Sequence, residues 1–498
     1  MRLFLVNPAN PLASMSFNRS SYWNRFRLWK PLGLLTIAAL TPPDWEVTVL
    51  DENLGPIDYD ALPRPDLVGL TAFTSQAPQA YEVAARFRER GVPVVMGGIH
   101  ATMCSKEAGT YVDSLVAGEA EPVWAEVLED ARSGRLKPLY AGGLASMDQI
   151  RPARHDLLPH GYAFGSIQTT RGCPLNCAFC SVTAFNGARY RQRPIADVVE
   201  EFKSIPEHRV LIVDDNLVGH RPRHIDRAKE LFRALADART GKSWIGQTTI
   251  NIAEDEELLD LAEKAGCIGL FIGFESVTPE GLPELGKKST LLAGRDIPAA
   301  VERVRRHNIL VVGSFIMGLD SDRPGVGRLI AEAADRYGVD NMNVLFNTPL
   351  PGTRLWRQLQ AEGRIAMSDF PEDWKYYTLN YPVARYKYLS CEQVVQEMVE
   401  CNRTFYSGAR ILTRMCKNLW MGRDPSFTLV SNLGSRSNSM HHARAYEALW
   451  PTVVTAQNPA TADVLPAGFL DLWPMITRRI GQLGTLLRMQ VTSLFRQS

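Results

Sequence analysis

Three cysteines lie close together in the chain, at Cys173, Cys177 and Cys180, in a C-x3-C-x2-C spacing. Cysteine thiolates hold iron–sulfur clusters, which usually take four of them, so a loop that supplies three leaves one iron open to another ligand. With eight cysteines in 498 residues, this spacing arises by chance in roughly 0.002 of chains. The loop therefore predicts a cluster whose open iron binds a small molecule.

A structural zinc site and a disulfide framework are the alternative uses of these cysteines. Structural zinc normally takes four ligands in two spaced pairs, and no second C-x2-C or matching histidine pair follows in the sequence. Disulfides are unusual in a long chain without a secretory signal, and the apolar run from Leu3 to Val6 is too short to be one. The prediction is therefore an iron–sulfur cluster, with zinc as the alternative.

With the aromatic Phe179 directly before its last cysteine, residues 173–180 resemble the signature of the radical S-adenosylmethionine (SAM) enzymes. The resemblance implies that Cys173, Cys177 and Cys180 are the catalytic cluster ligands, and that SAM binds the open iron of a [4Fe-4S] cluster beside Phe179. It also implies that an electron from the cluster cleaves SAM to methionine and a 5′-deoxyadenosyl radical. The protein's share is to position SAM and to exclude water.

The cysteine loop follows the first of six strand-like segments, which are separated by helical stretches. The segments span residues 166–170, 210–213, 244–250, 268–274, 309–316 and 341–346. Their alternation with helices predicts a partial, TIM-like (β/α)6 barrel, in which active-site residues lie at the carboxyl ends of the strands.

Polar residues at those strand ends are the predicted SAM contacts, because they can make charge-assisted hydrogen bonds to its polar groups. They are Asp214, Gln247, Glu275 and Ser276. Glu275 is the best candidate, since an acid that closes an apolar strand is costly to bury without a partner. The alternative for Asp214 or its neighbour Asp215 is a cap on the next helix. For residues 349–353 the alternative is a rigid turn.

An earlier series of strands opens the chain, at residues 3–6, 46–50, 67–71, 92–96 and 114–116, with helical stretches at 79–90 and 121–132. This alternation predicts a Rossmann-like open parallel sheet with helices on both faces. In such sheets ligands bind at the carboxyl ends of the strands.

The order of motifs in this first series resembles the cobalamin-binding (B12) domain that precedes many radical SAM enzymes. The resemblance implies that cobalamin contacts the loops after strands three, four and five, through Thr71, Ser75, Gly97, Gly98, Gly118 and Glu119. The D-x-H-x-x-G motif, which supplies cobalt with a lower histidine ligand in other cobalamin proteins, is absent, and residues 7–10 stand near its place. We expect His100 to make ordinary loop hydrogen bonds rather than to ligate cobalt. The alternative is a degenerate fold that holds no corrin.

Within that superfamily, residues 51–53, 118–121 and 214–216 resemble the methylases of the hopanoid C-2 methylase type. The resemblance implies cobalamin-dependent methylation of an unactivated carbon in a small-molecule or lipid-like substrate, with electrons from a flavodoxin- or ferredoxin-type donor. Two alternatives stay open. One is radical oxidation, cyclisation or rearrangement without methyl transfer, and the other is a non-catalytic iron–sulfur sensor or scaffold.

The predicted organisation has four parts: a cobalamin-binding-like domain over 1–140, a linker over 141–160, the radical SAM barrel over 161–385 and a mainly helical module over 386–498. A net charge of +1 gives no indication of a nucleic-acid partner. An oxygen-sensitive cluster and unpaired cysteines favour the cytoplasm.

The C-terminal module contains three more cysteines and a basic final stretch. Cys391, Cys401 and Cys416 lack the spacing of a cluster loop, and we expect them to be small apolar residues. Residues 476–496 have an apolar stripe at helical spacing with added arginines. Such a helix either lies on the anionic inner face of a membrane or docks on the barrel.

Overall fold

The computed structural model describes residues 1–12, 29–287, 295–421, 423 and 425–457. These residues contain two parallel sheets of six strands each, followed by a helical module. The predicted fold class, a Rossmann-like sheet followed by a partial barrel and a mainly helical C-terminal part, is confirmed.

The first sheet has the strand order β2-β1-β3-β4-β5-β6. Its strands are β1 (Arg2–Asn7), β2 (Glu46–Asp51), β3 (Leu67–Thr71), β4 (Val94–Gly97), β5 (Ser114–Gly118) and β6 (Leu139–Gly143). The order reverses between β1 and β3, and ligands of open parallel sheets bind at the carboxyl ends of the strands beside such a reversal.

Helices cover both faces of this sheet, as the apolar strands require. The helices are α1 (Leu32–Leu40), α2 (Ala77–Glu89), α3 (Gly98–Met103), α4 (Ser105–Ala108) and α5 (Trp124–Arg132). Leu3 and Leu5 of β1 belong to the core that includes α1 and α5. Phe4 and Val6 point to the other face, in one core with α2.

Strand β6 was not predicted from the sequence, and the predicted domain boundary at residue 140 falls inside it. Its side chains alternate between exposed and buried, with Leu139 half exposed and Tyr140 buried. A five-residue edge strand with that alternation has too few apolar residues to stand out from a loop.

The second sheet runs in chain order, so each of its strands pairs with the next one along the chain. Its strands are β7 (Gly165–Ile167), β10 (Arg209–Ile212), β11 (Ser243–Thr248), β12 (Cys267–Glu275), β13 (Leu310–Met317) and β14 (Asn341–Phe346). All six predicted strands are present. The first is shorter than predicted, because the chain leaves the sheet after Ile167 and forms a separate antiparallel pair, β8 (Thr170–Arg171) with β9 (Arg191–Gln192).

Amphipathic helices pack outside the second sheet. They are α7 (Ile195–Ser204), α8 (Pro222–Asp237), α9 (Glu256–Lys264), α11 (Ile297–Arg306), α12 (Val326–Tyr337) and α13 (Arg354–Ala361). Two short helices lie in connections instead: α6 (Ser181–Asn186), which has no buried residue, and α10 (Gly281–Glu284). In α8, for example, Ala228, Leu231, Phe232 and Leu235 recur at helical spacing and are buried. Burying each large apolar side chain of this kind stabilises the fold by about 1.5–3 kcal/mol.

Both edges of the second sheet are covered by other parts of the chain. At β7, the Ser166 hydroxyl donates to the backbone oxygen of Lys30 at 2.9 Å, from the segment that precedes α1. Beside β14, the Asn432 side chain donates to the Asp340 carbonyl at 2.8 Å, and the Tyr406 hydroxyl accepts from the Met342 N–H at 3.1 Å. The sheet of the barrel is therefore not closed, but other parts of the chain contact both of its edge strands.

The C-terminal module consists of α14 (Cys391–Phe405), α15 (Gly408–Trp420) and α16 (Pro425–Gln457). The predicted mainly helical character of this module holds for the described part, in which Tyr406 and Ser407 separate α14 from α15. Cys391 and Cys401 are buried and Cys416 is exposed. Among the described helices none is long and apolar enough to cross a membrane. The predicted basic helix over 476–496 lies outside the described residues.

Candidate active site

The three-cysteine loop is closed at its base by the β8–β9 pair, so residues 172–190 project from a fixed stem. Gly172 has φ +86°, and a Cβ at this position would lie 2.2 Å from the Arg189 carbonyl oxygen. Asn176 also has a positive φ, which asparagine tolerates better than most residues. The sequence therefore bends tightly between Cys173 and Cys177, and the three thiols share one loop.

The thiols of the loop are partly buried and free of disulfides. Burial raises the pKa of Cys177 to about 11 and that of Cys180 to about 12, and the neighbouring thiols add to the shift. Burial also raises the pKa of Cys173, and the backbone N–H groups of Leu175 and Val182, which donate to the sulfurs of Cys173 and Cys180, offset part of the rise in these two thiols. Hydrogen bonds of this kind tune the reduction potential of iron–sulfur clusters.

The surroundings of the loop fit a cluster that three thiolates hold. Asn216 is buried next to Cys173, and its Nδ2 has no hydrogen-bond partner among the described residues. Within that part of the chain no three His, Cys, Asp or Glu side chains are arranged around a single metal ion. A cluster does not need such an arrangement, because each thiolate binds a different iron.

Two aspartates anchor the loop to the strand end after β10. The buried Asp214 carboxylate accepts from the Thr169 N–H at 2.6 Å and from the hydroxyls of Thr169 and Thr170 at 2.5 and 2.9 Å. Asp215 accepts from the Gly172 N–H at 3.1 Å. Neither aspartate caps the next helix, which begins only at Pro222, so that alternative is wrong. The predicted contact between Asp214 and SAM stays a prediction.

Glu275 ends β12 at the barrel mouth and has a buried cation beside it. Its Oε1 accepts from Lys287 Nζ at 2.9 Å, and this ammonium also donates to the Gly273 carbonyl at 2.5 Å. Both charged groups lie close enough to Cys177 to shift its pKa, Lys287 downward and Glu275 upward. The structure thus brings the predicted Glu275 to the cluster loop. Lys287 was not predicted from the sequence, because it follows the short helix α10 and belongs to no motif.

The other predicted SAM contacts have different surroundings. Gln247 is exposed on β11. Ser276 is buried and pairs with the Thr278 hydroxyl at 3.1 Å. Phe179 packs between two small apolar clusters, one with Leu285 and one with Leu355, and so fixes the cluster loop against α10 and α13.

Residues 349–353 form a turn, which is the alternative predicted for them from the sequence. Thr353 Oγ1 accepts from the Trp356 N–H at 3.0 Å and caps α13. A Cβ at Gly352 would lie 2.3 Å from the sulfur of Met103. The turn therefore touches helix α3 of the first domain.

The predicted cobalamin contacts lie along the carboxyl edge of the first sheet. A Cβ at Gly98 would stand 2.6 Å from Thr71 Oγ1. The loops after β3 and β4 therefore approach each other so closely that only glycine fits at this position. Gly118 has φ +84°, and a Cβ there would stand 2.9 Å from the Gly143 N atom. Ser75 accepts, through its carbonyl, from Asn10 Nδ2 at 2.6 Å. Gly97 ends β4 between these loops. Glycine at these positions lets the loops of the edge pack closely against each other, and the aromatic Phe73 is exposed in the loop after β3 at the same edge. Glycine backbone together with an exposed aromatic ring fits a large ring ligand.

His100 makes the loop hydrogen bonds that the sequence predicts. Its ring is fully buried, with Nε2 at 2.8 Å from the Tyr81 hydroxyl and at 3.5 Å from Glu107. The Trp374 ring packs edge-on against it. The Tyr81 contact occupies Nε2, whereas the buried Nδ1 has no hydrogen-bond partner among the described residues.

Glu119 links the two domains. Its buried carboxylate accepts from Arg171 Nη1 at 3.0 Å, from Arg191 Nη1 at 2.9 Å and from the Ala145 N–H at 2.7 Å. Arg171 also pairs with Glu121 at 2.6 Å. The side chain thus has its partners in the stem of the cluster loop, and its predicted contact with cobalamin stays a prediction.

Two family models match the chain. Residues 167–324 match the radical SAM superfamily, and residues 25–128 match the B12 binding domain. The first range contains the cluster loop and most of the barrel, and the second contains most of the glycine-lined edge.

Curated proteins and solved structures are similar along most of the chain. Bacteriochlorophyllide d C-12(1)-methyltransferase of Chlorobaculum tepidum is 29% identical over 402 residues, which cover 77% of this chain and 84% of that protein. Hopanoid C-2 methylase of Rhodopseudomonas palustris is 27% identical over 405 residues, which cover 77% of this chain and 72% of that protein. The radical SAM methyltransferase TsrM of Kitasatospora setae, solved with cobalamin and a [4Fe-4S] cluster, has a TM-score of 0.63 at 18% identity and covers 89% and 99% of the two chains. The last comparison shows a shared fold.

Proposed function

We propose that this chain, which belongs to the radical SAM superfamily and carries a B12 binding domain, methylates an unactivated carbon of a small molecule. The observation that carries the proposal is the direct linkage of a three-thiol loop to a glycine-lined ligand edge through Glu119. The methyltransferases and the hopanoid methylase among its relatives support the methylation. A lipid-like substrate is the class that the hopanoid relative favours.

The cofactors are a [4Fe-4S] cluster, SAM and cobalamin, and when bound they supply the reducing electron, the radical and the methyl carrier. Cys173, Cys177 and Cys180 would hold the cluster. Lys287 and Glu275 hold charge beside it, and the first domain's glycine-lined edge would seat the corrin. The chain's own task is to keep these sites in fixed relation and to exclude water from them.

The proposal is tested by anaerobic purification with added cobalamin, followed by iron, corrin and SAM-cleavage assays on one sample. About four irons, one corrin and 5′-deoxyadenosine are expected, together with transfer of an isotopically labelled methyl group from SAM to the corrin. Cleavage of SAM without bound corrin would favour radical oxidation, cyclisation or rearrangement. Bound iron without any SAM cleavage would favour a sensor.

Glu275→Gln is expected to weaken SAM binding about tenfold, because a charged acceptor contributes roughly 1.5–3 kcal/mol to a hydrogen bond. The amide keeps the size of the side chain and an oxygen for Lys287. Equilibrium binding of SAM to the cluster-loaded protein measures the effect, with iron content as the check on folding. Glu280→Gln, on a neighbouring exposed residue, is the matched control. Native affinity in Glu275→Gln would remove Glu275 from the SAM site.

The electron donor we propose is an acidic protein of the flavodoxin or ferredoxin type. Asn176 is exposed between the first two cysteines of the cluster loop, and Arg354 donates to its carbonyl. Arg357 follows one turn later on α13, and Arg189 lies against the loop at Gly172. All three arginines are exposed, and none has an acidic partner among the described residues. Such a positive patch attracts an acidic partner.

Arg357→Glu is therefore expected to slow reduction of the cluster by flavodoxin hydroquinone about tenfold at low ionic strength. The difference should shrink as salt screens the charges. Stopped-flow absorbance measures the rate. Arg132→Glu is the control, because Arg132 pairs with Asp44 at the far end of the first sheet. Equal rates for the two variants would contradict the docking site.

We also place the enzyme in the cytoplasm, where free thiols persist. All eight cysteines of the chain are free in the structure. Contact of residues 476–496 with the inner face of a membrane stays a prediction. Deletion of 476–498 should then abolish cosedimentation with anionic vesicles.

A further inference from the structure

A continuous series of hydrogen bonds joins the predicted corrin edge to the residue that holds the cluster loop. The Thr102 hydroxyl donates to the Gly98 carbonyl at 2.8 Å and accepts from the Gly118 N–H at 2.9 Å. Glu119 is the next residue in the chain, and its N–H donates to the Gly143 carbonyl at 3.0 Å. The backbone around Glu119 is therefore fixed by the same loops that line the edge.

The far end of the series is a buried ion-pair cluster. The Glu119 side chain is 2% exposed, and those of Arg171 and Arg191 are 11% and 15% exposed. Arg171 stands two residues before Cys173, and the two arginines lie opposite each other in the β8–β9 pair. Removing one partner of a buried pair leaves an uncompensated charge, so separating Glu119 from the two arginines of the stem is costly.

Glycines make the near end of the series sensitive to a ligand. Gly98 and Gly118 both have positive φ and closely approached neighbours. A ring seated against these two residues would restrict their backbones. That restriction would be passed to Glu119, and the loop that Glu119 holds would lose less conformational entropy when SAM binds.

Resting on the proposed function, we propose that Glu119 is a positioning residue that couples the two cofactor sites, so that cobalamin and SAM favour each other's binding. The coupling is reciprocal, because each ligand changes the affinity of the other by the same factor. Typical couplings of this kind are about five- to 150-fold in affinity.

The test measures the dissociation constant of SAM for the cluster-loaded full chain, with and without saturating hydroxocobalamin. We expect cobalamin to tighten SAM binding by at least about fivefold in the native protein. Glu119→Gln and Thr102→Val should each reduce that ratio to below about twofold. The electron paramagnetic resonance spectrum of the reduced cluster with SAM should likewise respond to cobalamin only in the native chain.

Thr110→Val is the matched control, because the exposed Thr110 hydroxyl bonds only to the Glu107 carbonyl in its own domain; it should keep the native ratio. If Glu119→Gln loses its iron, Thr102→Val decides, since Thr102 lies outside the ion pairs. Bound cobalamin without effect on SAM affinity, or variants with the native ratio, would overturn the coupling alone. A native chain that binds no cobalamin would overturn the proposed function as well.

Discussion

Replacing any one of Cys173, Cys177 and Cys180 by alanine is expected to abolish both the visible absorbance of the reconstituted cluster and the formation of 5′-deoxyadenosine. Three thiolates are the fewest that leave a single open iron, so the loss of one leaves two irons without protein ligands. Absorbance, iron content and chromatographic detection of 5′-deoxyadenosine on the same anaerobic sample measure the result.

Cys416→Ala is the matched control, because Cys416 is an exposed free thiol that lies on α15, outside the cluster loop. It should keep native iron content and SAM cleavage. A cluster that persists in the Cys173 variant would place the ligands elsewhere in the chain.

Gly172→Ala is expected to prevent cluster assembly although all three cysteines remain. The new methyl group would stand 2.2 Å from the Arg189 carbonyl oxygen and 2.9 Å from that of Gly187, and backbone atoms cannot turn aside. The positive φ adds about 1–2 kcal/mol of strain for an alanine. We expect iron content to fall at least about tenfold, since the loop must open to accommodate the methyl group.

Gly134→Ala separates these two costs. Gly134 also has a positive φ, but no atom lies within 4 Å of the position of its Cβ. It should therefore lose stability by backbone strain alone and keep its cluster, as thermal unfolding and iron content would show. Native iron content in Gly172→Ala would mean that the β8–β9 stem is not rigid.

The sequence predicted most strands of the barrel well because they contain compact apolar runs, such as residues 268–274. Local patterns of this kind are set by burial in a parallel sheet. It missed β6 for the opposite reason, since an edge strand with one exposed side has a weak pattern. The cluster cysteines were found because their spacing is local and rare.

Long-range pairings were not visible in the sequence. Lys287 reaches Glu275 across 12 residues, and Glu119 reaches Arg191 across 72. An acid after a strand of the first sheet is equally compatible with a ligand, a helix cap or an ion pair, and only the packing of the two domains decides. Gly118 ends β5, at the carboxyl edge where the sequence predicts it, whereas the ion-pair partners of Glu119 were not predicted.

The covered edges of the second sheet bear on how the protein can be divided. An uncovered edge strand offers unpaired backbone groups to another chain and promotes aggregation. Because the segment around Lys30 covers β7, and Asn432 and Tyr406 cover the β14 side, the barrel alone would expose both edges. The first domain and the C-terminal helical module therefore also protect the barrel from aggregation. A truncated barrel that lacks either of them is expected to self-associate through strand pairing.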